Sequence, residues 1–176
     1  MSKITQQAAL CYPTGHSDGI VTAKLFNWTG RVLMAPRTHL AEALARHEAS
    51  NSGLYLLLGE IEGEHHAYIG QGEDIGTTIK SHDMDNDWWD RVVFITENSN
   101  NLSRSEISYL TSRMMEQARE NARIHLSSGM ISSPFSIGES GKANMEVFLE
   151  NLIMVLPSVQ VDIFIEKDLT SVSSSL

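Results

Sequence analysis

The chain has a single cysteine, Cys11, among its 176 residues. That excludes an intrachain disulfide framework and any metal site built on several thiolates, and it fits a reducing cytoplasm. Long apolar runs are missing too. None approaches the roughly 20 residues that span a bilayer, and Met1–Leu10 lacks a basic patch followed by an apolar stretch. The sequence therefore reads as soluble, cytoplasmic and without a membrane partner. Positive charge is scarce, with 13 Lys and Arg against 22 Asp and Glu, a net charge of −9. Residues 1–52 carry 5 basic and 3 acidic groups (+2), residues 53–125 carry 6 and 13 (−7), and residues 126–176 carry 2 and 6 (−4). Such a chain repels a phosphate backbone at long range unless its few cations converge on one face.

Hydrophobic residues at 41% and charged residues at 20% are ordinary globular usage, enough for one core with room for a small satellite. Ile20–Phe26 and Arg31–Met34 flank a turn ending in Gly30, the pattern of a β-hairpin. Pro36 stops the second strand, and Thr38 is placed to cap a short helix to Ala45. His47–Ser52 reads as a connector. A second β pair is expected at Leu54–Leu58 and His66–Gly70, joined by the acidic loop Gly59–Glu64. Asp74–Ser81 is a short helical run, Asp83–Asp87 an acidic loop, and Trp88–Thr96 a third strand around Val92-Val93-Phe94-Ile95.

Ser103 and Glu106 have capping-box spacing, and Ile107, Leu110, Met114 and Ala118 recur at helical intervals. A long amphipathic helix is therefore expected over 104–123. Ser127–Gly141 reads as a surface connection. Met145, Phe148, Leu149, Leu152 and Leu156 form a helical stripe ended by Pro157, Val159–Ile165 a strand, and Thr170–Leu176 a frayed tail. The expected organisation is an N-terminal hairpin and helix extension (1–52), a core (53–125), and a linker with C-terminal helix, strand and tail (126–176). The fold class is α/β of the α+β kind: a small, mostly antiparallel sheet flanked by helices.

The informative stretch is Gly53-Leu54-Tyr55 followed, 13 residues after Tyr55, by Tyr68-Ile69-Gly70, with a helix-forming run ending at His82. Gly72-Glu73-Asp74, Lys80-Ser81-His82, Trp88-Trp89-Asp90, Asn100-Asn101-Leu102 and the helix bearing Tyr109-Leu110 and Arg113-Met114 continue the pattern. In these residues the chain resembles the GIY-YIG nuclease family, in its bacterial branch, over about residues 20–165. The resemblance implies phosphodiester hydrolysis with one divalent metal, Mg²⁺ or Mn²⁺. It puts Tyr55 and Tyr68 at the two tyrosine positions that serve the attacking water, Gly70 at the glycine that lets phosphate approach, and His82 at the end of the first helix. Such chemistry needs an activated water and neutralisation of charge on phosphate and leaving oxygen.

Two positions depart from that pattern. The phosphate-binding arginine is expected four residues before His82, where Thr78 stands. Threonine has neither positive charge nor a bidentate fork, and Lys80 lies on another helix face. The metal-binding glutamate is expected two residues before Arg113, where Thr111 stands. A neutral hydroxyl is a poor anchor for Mg²⁺. Glu106 and Glu116 sit five residues to either side, about 140° around the helix, and do not point where position 111 points.

The remaining signals have plain explanations. Adjacent His65 and His66 face opposite ways on a strand, so they do not form a metal pair. Glu60, Glu62 and Glu64, like Asp83, Asp85 and Asp87, read as solvated loops without a calcium-binding pattern. Trp88-Trp89 fits core and edge packing, and Met114-Met115, Met145 and Met154 fit gap filling. Two functions remain open. The first is a catalytically silent pseudo-nuclease that binds protein or nucleic acid and needs no cofactor. The second is an active metal-dependent endonuclease with a rearranged site. Nucleic-acid binding is expected to be weak and salt-dependent, resting on Arg31, Arg37, Lys80, Arg91 and Arg104. A basic protein partner would meet the acidic loops around Glu62 and Asp85.

Overall fold

The computed structural model describes residues 8–16, 18–121, 124–129 and 137–164. Among these, seven strands form one sheet: β1 (Ala9–Cys11), β2 (Val21–Lys24), β3 (Gly30–Pro36), β4 (Gly53–Ile61), β5 (Glu64–Gly72), β6 (Trp89–Glu97) and β7 (His125–Ser128). The helices are α1 (Leu40–Leu44), α2 (Ile75–Asp85), α3 (Arg104–Asn121) and α4 (Gly138–Val155). The strand order is β1-β2-β3-β6-β4-β5-β7, and every pairing is antiparallel except β5 with β7. The expected α+β class is what the chain adopts. None of the described helices is long and apolar enough to cross a membrane.

The β4–β5 hairpin is longer than its apolar centre suggests. Gly59–Ile61 and Glu64 are paired strand residues, not loop, because the turn needs only Glu62 and Gly63. Both have positive φ, 53° and 82°, the mirror-image turn whose twist matches the flanking strands. The capping box forms as expected: Ser103 N–H donates to Glu106 Oε1 at 2.9 Å and Glu106 N–H to Ser103 Oγ at 3.1 Å.

Alternation along each strand divides the buried side chains between two faces. Val32, Leu54, Leu56, Ile69, Val93 and Ile95 pack under α3 and α4 with Ile107, Leu110, Phe148 and Leu152. Leu33, Ala35, Tyr55, Leu57, Trp89 and Phe94 pack under α1 and α2 with Leu40, Ile75 and Ile79.

Several expectations need correction. Val159–Ile165 was expected as a strand, yet Leu156–Val159 is a 3-10 turn and 160–164 are not strand; Ile165 lies outside the described residues. Pro157 enters that turn at its start, where its missing N–H costs nothing, and Gln160 adopts a left-handed φ of 66° that breaks extension. Val159, Val161 and Phe164 are buried as anchors instead of alternating. The Ser127–Gly141 connection holds the end of β7 and the start of α4, with 130–136 outside the described residues. Asp83–Asp85 belongs to the last turn of α2, so this helix runs past His82. His47–Ser50 is a 3-10 turn, and Thr38 lies in another, Arg37–His39, making no cap for α1. The 170–176 tail lies outside the described residues.

Candidate functional site

Register decides what Tyr55 and Tyr68 do. Tyr55 pairs with Gly70 and Leu57 with Tyr68, so the two tyrosines sit on one face of neighbouring strands, ring centroids 6.1 Å apart. A Cβ at position 70 would collide with the Tyr55 ring. The glycine therefore seats Tyr55, and the space the resemblance reserves for phosphate approach is filled by that ring.

Asp74 caps α2 by accepting from the Thr77 N–H at 3.3 Å, and the helix carries His82 over both tyrosines, 5.7 Å from Tyr55 and 4.7 Å from Tyr68 between centroids. His82 Nε2 lies 2.9 Å from Tyr55 Oη, and its Nδ1 lies 3.1 Å from Asn86 Nδ2. With the amide nitrogen facing it, Nδ1 is the acceptor, so the neutral ring carries its proton on Nε2 and donates to Tyr55. Burial lowers the His82 pKa against an opposing pull from Asp85, which keeps the ring neutral at pH 7. Burial first, then the neighbouring Tyr68 hydroxyl, push the Tyr55 phenol above its ordinary value. Hydrogen bonding thus runs Asn86 to His82 to Tyr55, with the Tyr68 ring packed alongside, and the phenol is a poor base at neutral pH.

Asn86 is held by Arg37, which donates to the Asn86 carbonyl at 2.8 Å, to Asp83 Oδ1 at 3.0 Å and to the Trp89 carbonyl at 3.0 Å. The guanidinium also lies 4.1 Å over the Trp89 ring, which ties the C-terminal end of α2 to β6.

The two threonines arrive from opposite sides of β5. Among the described residues, β7 pairs with β5 as far as Ile69, with a further bond from Gly129 N–H to the Ile69 carbonyl, and Gly70–Gly72 have no strand partner on that side. There a cavity of about 210 Å³ is lined by Tyr55, Tyr68, Gly70, Gln71, Thr78 and Thr111. Thr111 is 1% exposed, and its hydroxyl lies 2.8 Å from both the Ile107 carbonyl and Gln71 Oε1, while Gln71 Nε2 lies 3.2 Å from Ser108 Oγ. One hydroxyl proton cannot serve two acceptors. Turning the Gln71 amide over lets Nε2 donate to Thr111, Thr111 to Ile107, and Ser108 to Gln71, satisfying every member.

Five of the six expected site residues thus line one cavity, and His82 touches it through the tyrosines. Among the described residues, no charged side chain lines it. The donors at hand are phenols, hydroxyls and an amide, and a set without a carboxylate does not suit Mg²⁺ or Mn²⁺. Among the described residues, no group of three His, Cys, Asp or Glu is arranged to hold a metal ion.

The cations counted on for phosphate do not converge. Arg31 pairs with Glu48 at 2.9 Å, Arg37 with Asp83 at 3.0 Å, Arg104 with Glu73, and Arg91 donates to the Gln160 carbonyl at 3.2 Å. Lys80 lines a different cavity, with Leu44 and Ser50. Sequence reasoning missed Gln71 and Asn86. Asn86 stands one helical turn after His82, a spacing that announces a partner, whereas Gln71 carried no signal beyond its place after Gly70. No family model, curated protein or solved structure matches the chain.

Proposed function

We propose that this chain is a GIY-YIG-like nuclease domain that has lost phosphodiester cleavage and serves as a binding module. The observation that carries the reading is a cavity that no charged side chain among the described residues lines. The positions where the resemblance calls for a phosphate-binding arginine and a metal-binding glutamate both line it, and both are threonine. Cleavage needs those groups together in one geometry, and Thr111 is committed to Gln71 and the helix backbone. The paired cations and the net charge of −9 make binding of a polynucleotide weak and steeply salt-dependent, and favour a partner with a basic surface.

The test is the unmodified chain with Mg²⁺ or Mn²⁺ on single- and double-stranded DNA and RNA, beside Tyr55→Phe to expose contaminating nuclease. The expected result is no cutting above the Tyr55→Phe background. Cutting that disappears in Tyr55→Phe would establish the active endonuclease instead. The joined Asn86–His82–Tyr55 series, with the Tyr68 ring packed on it, is the observation that favours that second reading.

A further inference from the structure

β7 joins the edge of the sheet through its four residues, His125–Ser128 beside His66–Ile69. Alternation turns Ala67 and Leu126 toward α3 and α4 and leaves His66 and His125 on the tyrosine face. There the two imidazoles stack, 5.0 Å between centroids and 24° from parallel, and Trp88 meets His66 edge-on at 6.0 Å.

The two rings are not equivalent. His125 Nε2 lies 2.8 Å from Glu64 Oε2, so a charge on His125 has a carboxylate beside it. His66 Nδ1 is buried and has no hydrogen-bonding partner among the described residues. A bare lone pair is tolerable in that place, whereas a proton on Nδ1 would make a buried donor without an acceptor, on a charged ring. That ring would also stand against a charged His125 at stacking distance. The pair is built to hold one added proton, on His125, and to resist a second.

No other described group relieves the second charge. Glu64 is engaged by His125, and Glu60 and His65 pair with each other on the opposite face of the hairpin. Asp87 and Asp90, to either side of Trp88-Trp89, make no ion pair with either ring. Tyr68 follows on β5 with His82 stacked over it at 4.7 Å, and neither supplies a carboxylate. α3 packs on the far face of β7, and its Arg119 and Glu120 make no ion pair with the stack.

We propose that the His66–His125 stack is an acid-sensitive clasp, which releases β7 from β5 when both rings are protonated. The consequence reaches the tyrosine cavity. Just past β7, the Gly129 N–H donates to the Ile69 carbonyl, and a Cβ on Gly129 would lie 2.6 Å from the Tyr68 hydroxyl oxygen. Gly129 is part of that cavity's wall. Release of β7 withdraws the wall whatever the cavity binds, so the inference stands apart from the reading of the tyrosines.

The experiment is amide hydrogen exchange of the full chain, followed by NMR from about pH 7.5 to about pH 5 and expressed as protection factors. A histidine that ionises near pH 6.5 when free and must stay neutral when docked holds β7 above that range, and its hold falls by up to about thirtyfold over this interval. Protection of the Gly129 amide is expected to fall at least about tenfold, with a matching change in the Tyr68 ring signals. His66→Phe keeps a ring in the stack without a titrating nitrogen and should reduce the fall to less than about twofold. His125→Gln, at a position 65% exposed, removes the like charge and should reduce it to about threefold. Glu64→Gln should deepen the fall about threefold, because the His125 charge loses its partner. The proposal is overturned if Gly129 protection does not change with pH, if neither His66→Phe nor His125→Gln lessens the fall, or if Val93 and Ile95 in β6 lose protection by the same factor, which would be acid unfolding of the whole sheet.

Discussion

Toward α3 and α4 the sheet presents Val32, Leu54, Leu56, Ile69, Val93 and Ile95, each with no measurable exposure, to a matching set from two long helices. Toward α1 and α2 the same strands present Tyr55, Trp89 and Phe94 to short elements, and polar groups enter the packing: His82 on Tyr55, and Glu48 at 1% exposure between Arg31 and Arg46. The first face supplies most of the apolar burial. On the second, orientation is held by hydrogen bonds and ion pairs, whose net worth is small but whose geometry is demanding. A site that needs placed polar groups sits where the apolar packing is thinner, and it relies on the opposite face for stability.

That contrast is open to direct challenge. Leu110→Ala, on the buried face of α3, should cost about 2–5 kcal/mol in chemical denaturation, since no exposed surface lets the cavity collapse. Glu48→Ala on the other face should cost about 2–3 kcal/mol, less than a fully buried pair because both guanidinium groups keep some exposure. Burial raises the Glu48 pKa, but the Arg46 hydrogen bond and the charges of Arg46 and His47 outweigh it and hold the carboxyl below its ordinary 4.5. Its stabilisation is therefore complete above about pH 4.5 and is lost as pH falls through the lower folded value. A denaturation series across that acid range should show a slope that Glu48→Ala removes.

Gly70→Ala should cost about 1–3 kcal/mol and displace the Tyr55 ring, seen as a change in near-ultraviolet circular dichroism. If it costs more than Leu110→Ala, the two faces are not as unequal as described. Tyr55→Phe is the mildest change. It removes the partner of His82 Nε2 and should cost about 1 kcal/mol. Because His82 is depressed by burial, the stability tied to its neutral ring is present above about pH 6.5, the unfolded value, and is lost as pH falls through the folded one.

The elements with dense local signals were legible. The α3 capping box, the β4 and β5 runs and the apolar centre of β6 read directly from residue type and spacing. β1 and β7 did not. His125-Leu126-Ser127-Ser128 has little strand propensity, and it is strand because β5 offers an edge to pair with. The C-terminal turn escaped because Val159 and Val161 look like alternation but are anchors around a left-handed Gln160. Tyr55, Tyr68, Gly70, Thr78 and Thr111 were brought together only by the resemblance, which implied one site for them. What the cavity between them holds, the Gln71 bridge and the tethering of Asn86 by Arg37, depends on three-dimensional neighbours that no linear pattern records.

β6 is hydrogen-bonded on one side to β3 and on the other to β4, and among the described residues nothing else in the sheet joins the N-terminal strands to the β4–β5 hairpin. During synthesis the two hairpins can each form locally as they emerge, because their partners are close in sequence. The sheet cannot close until residues 89–97 have left the ribosome and slotted between them, so about half the chain waits with open strand edges. A nascent chain arrested before residue 89 should therefore be the most aggregation-prone length, and one extended beyond 97 should gain amide protection in β3 and β4 at the same moment.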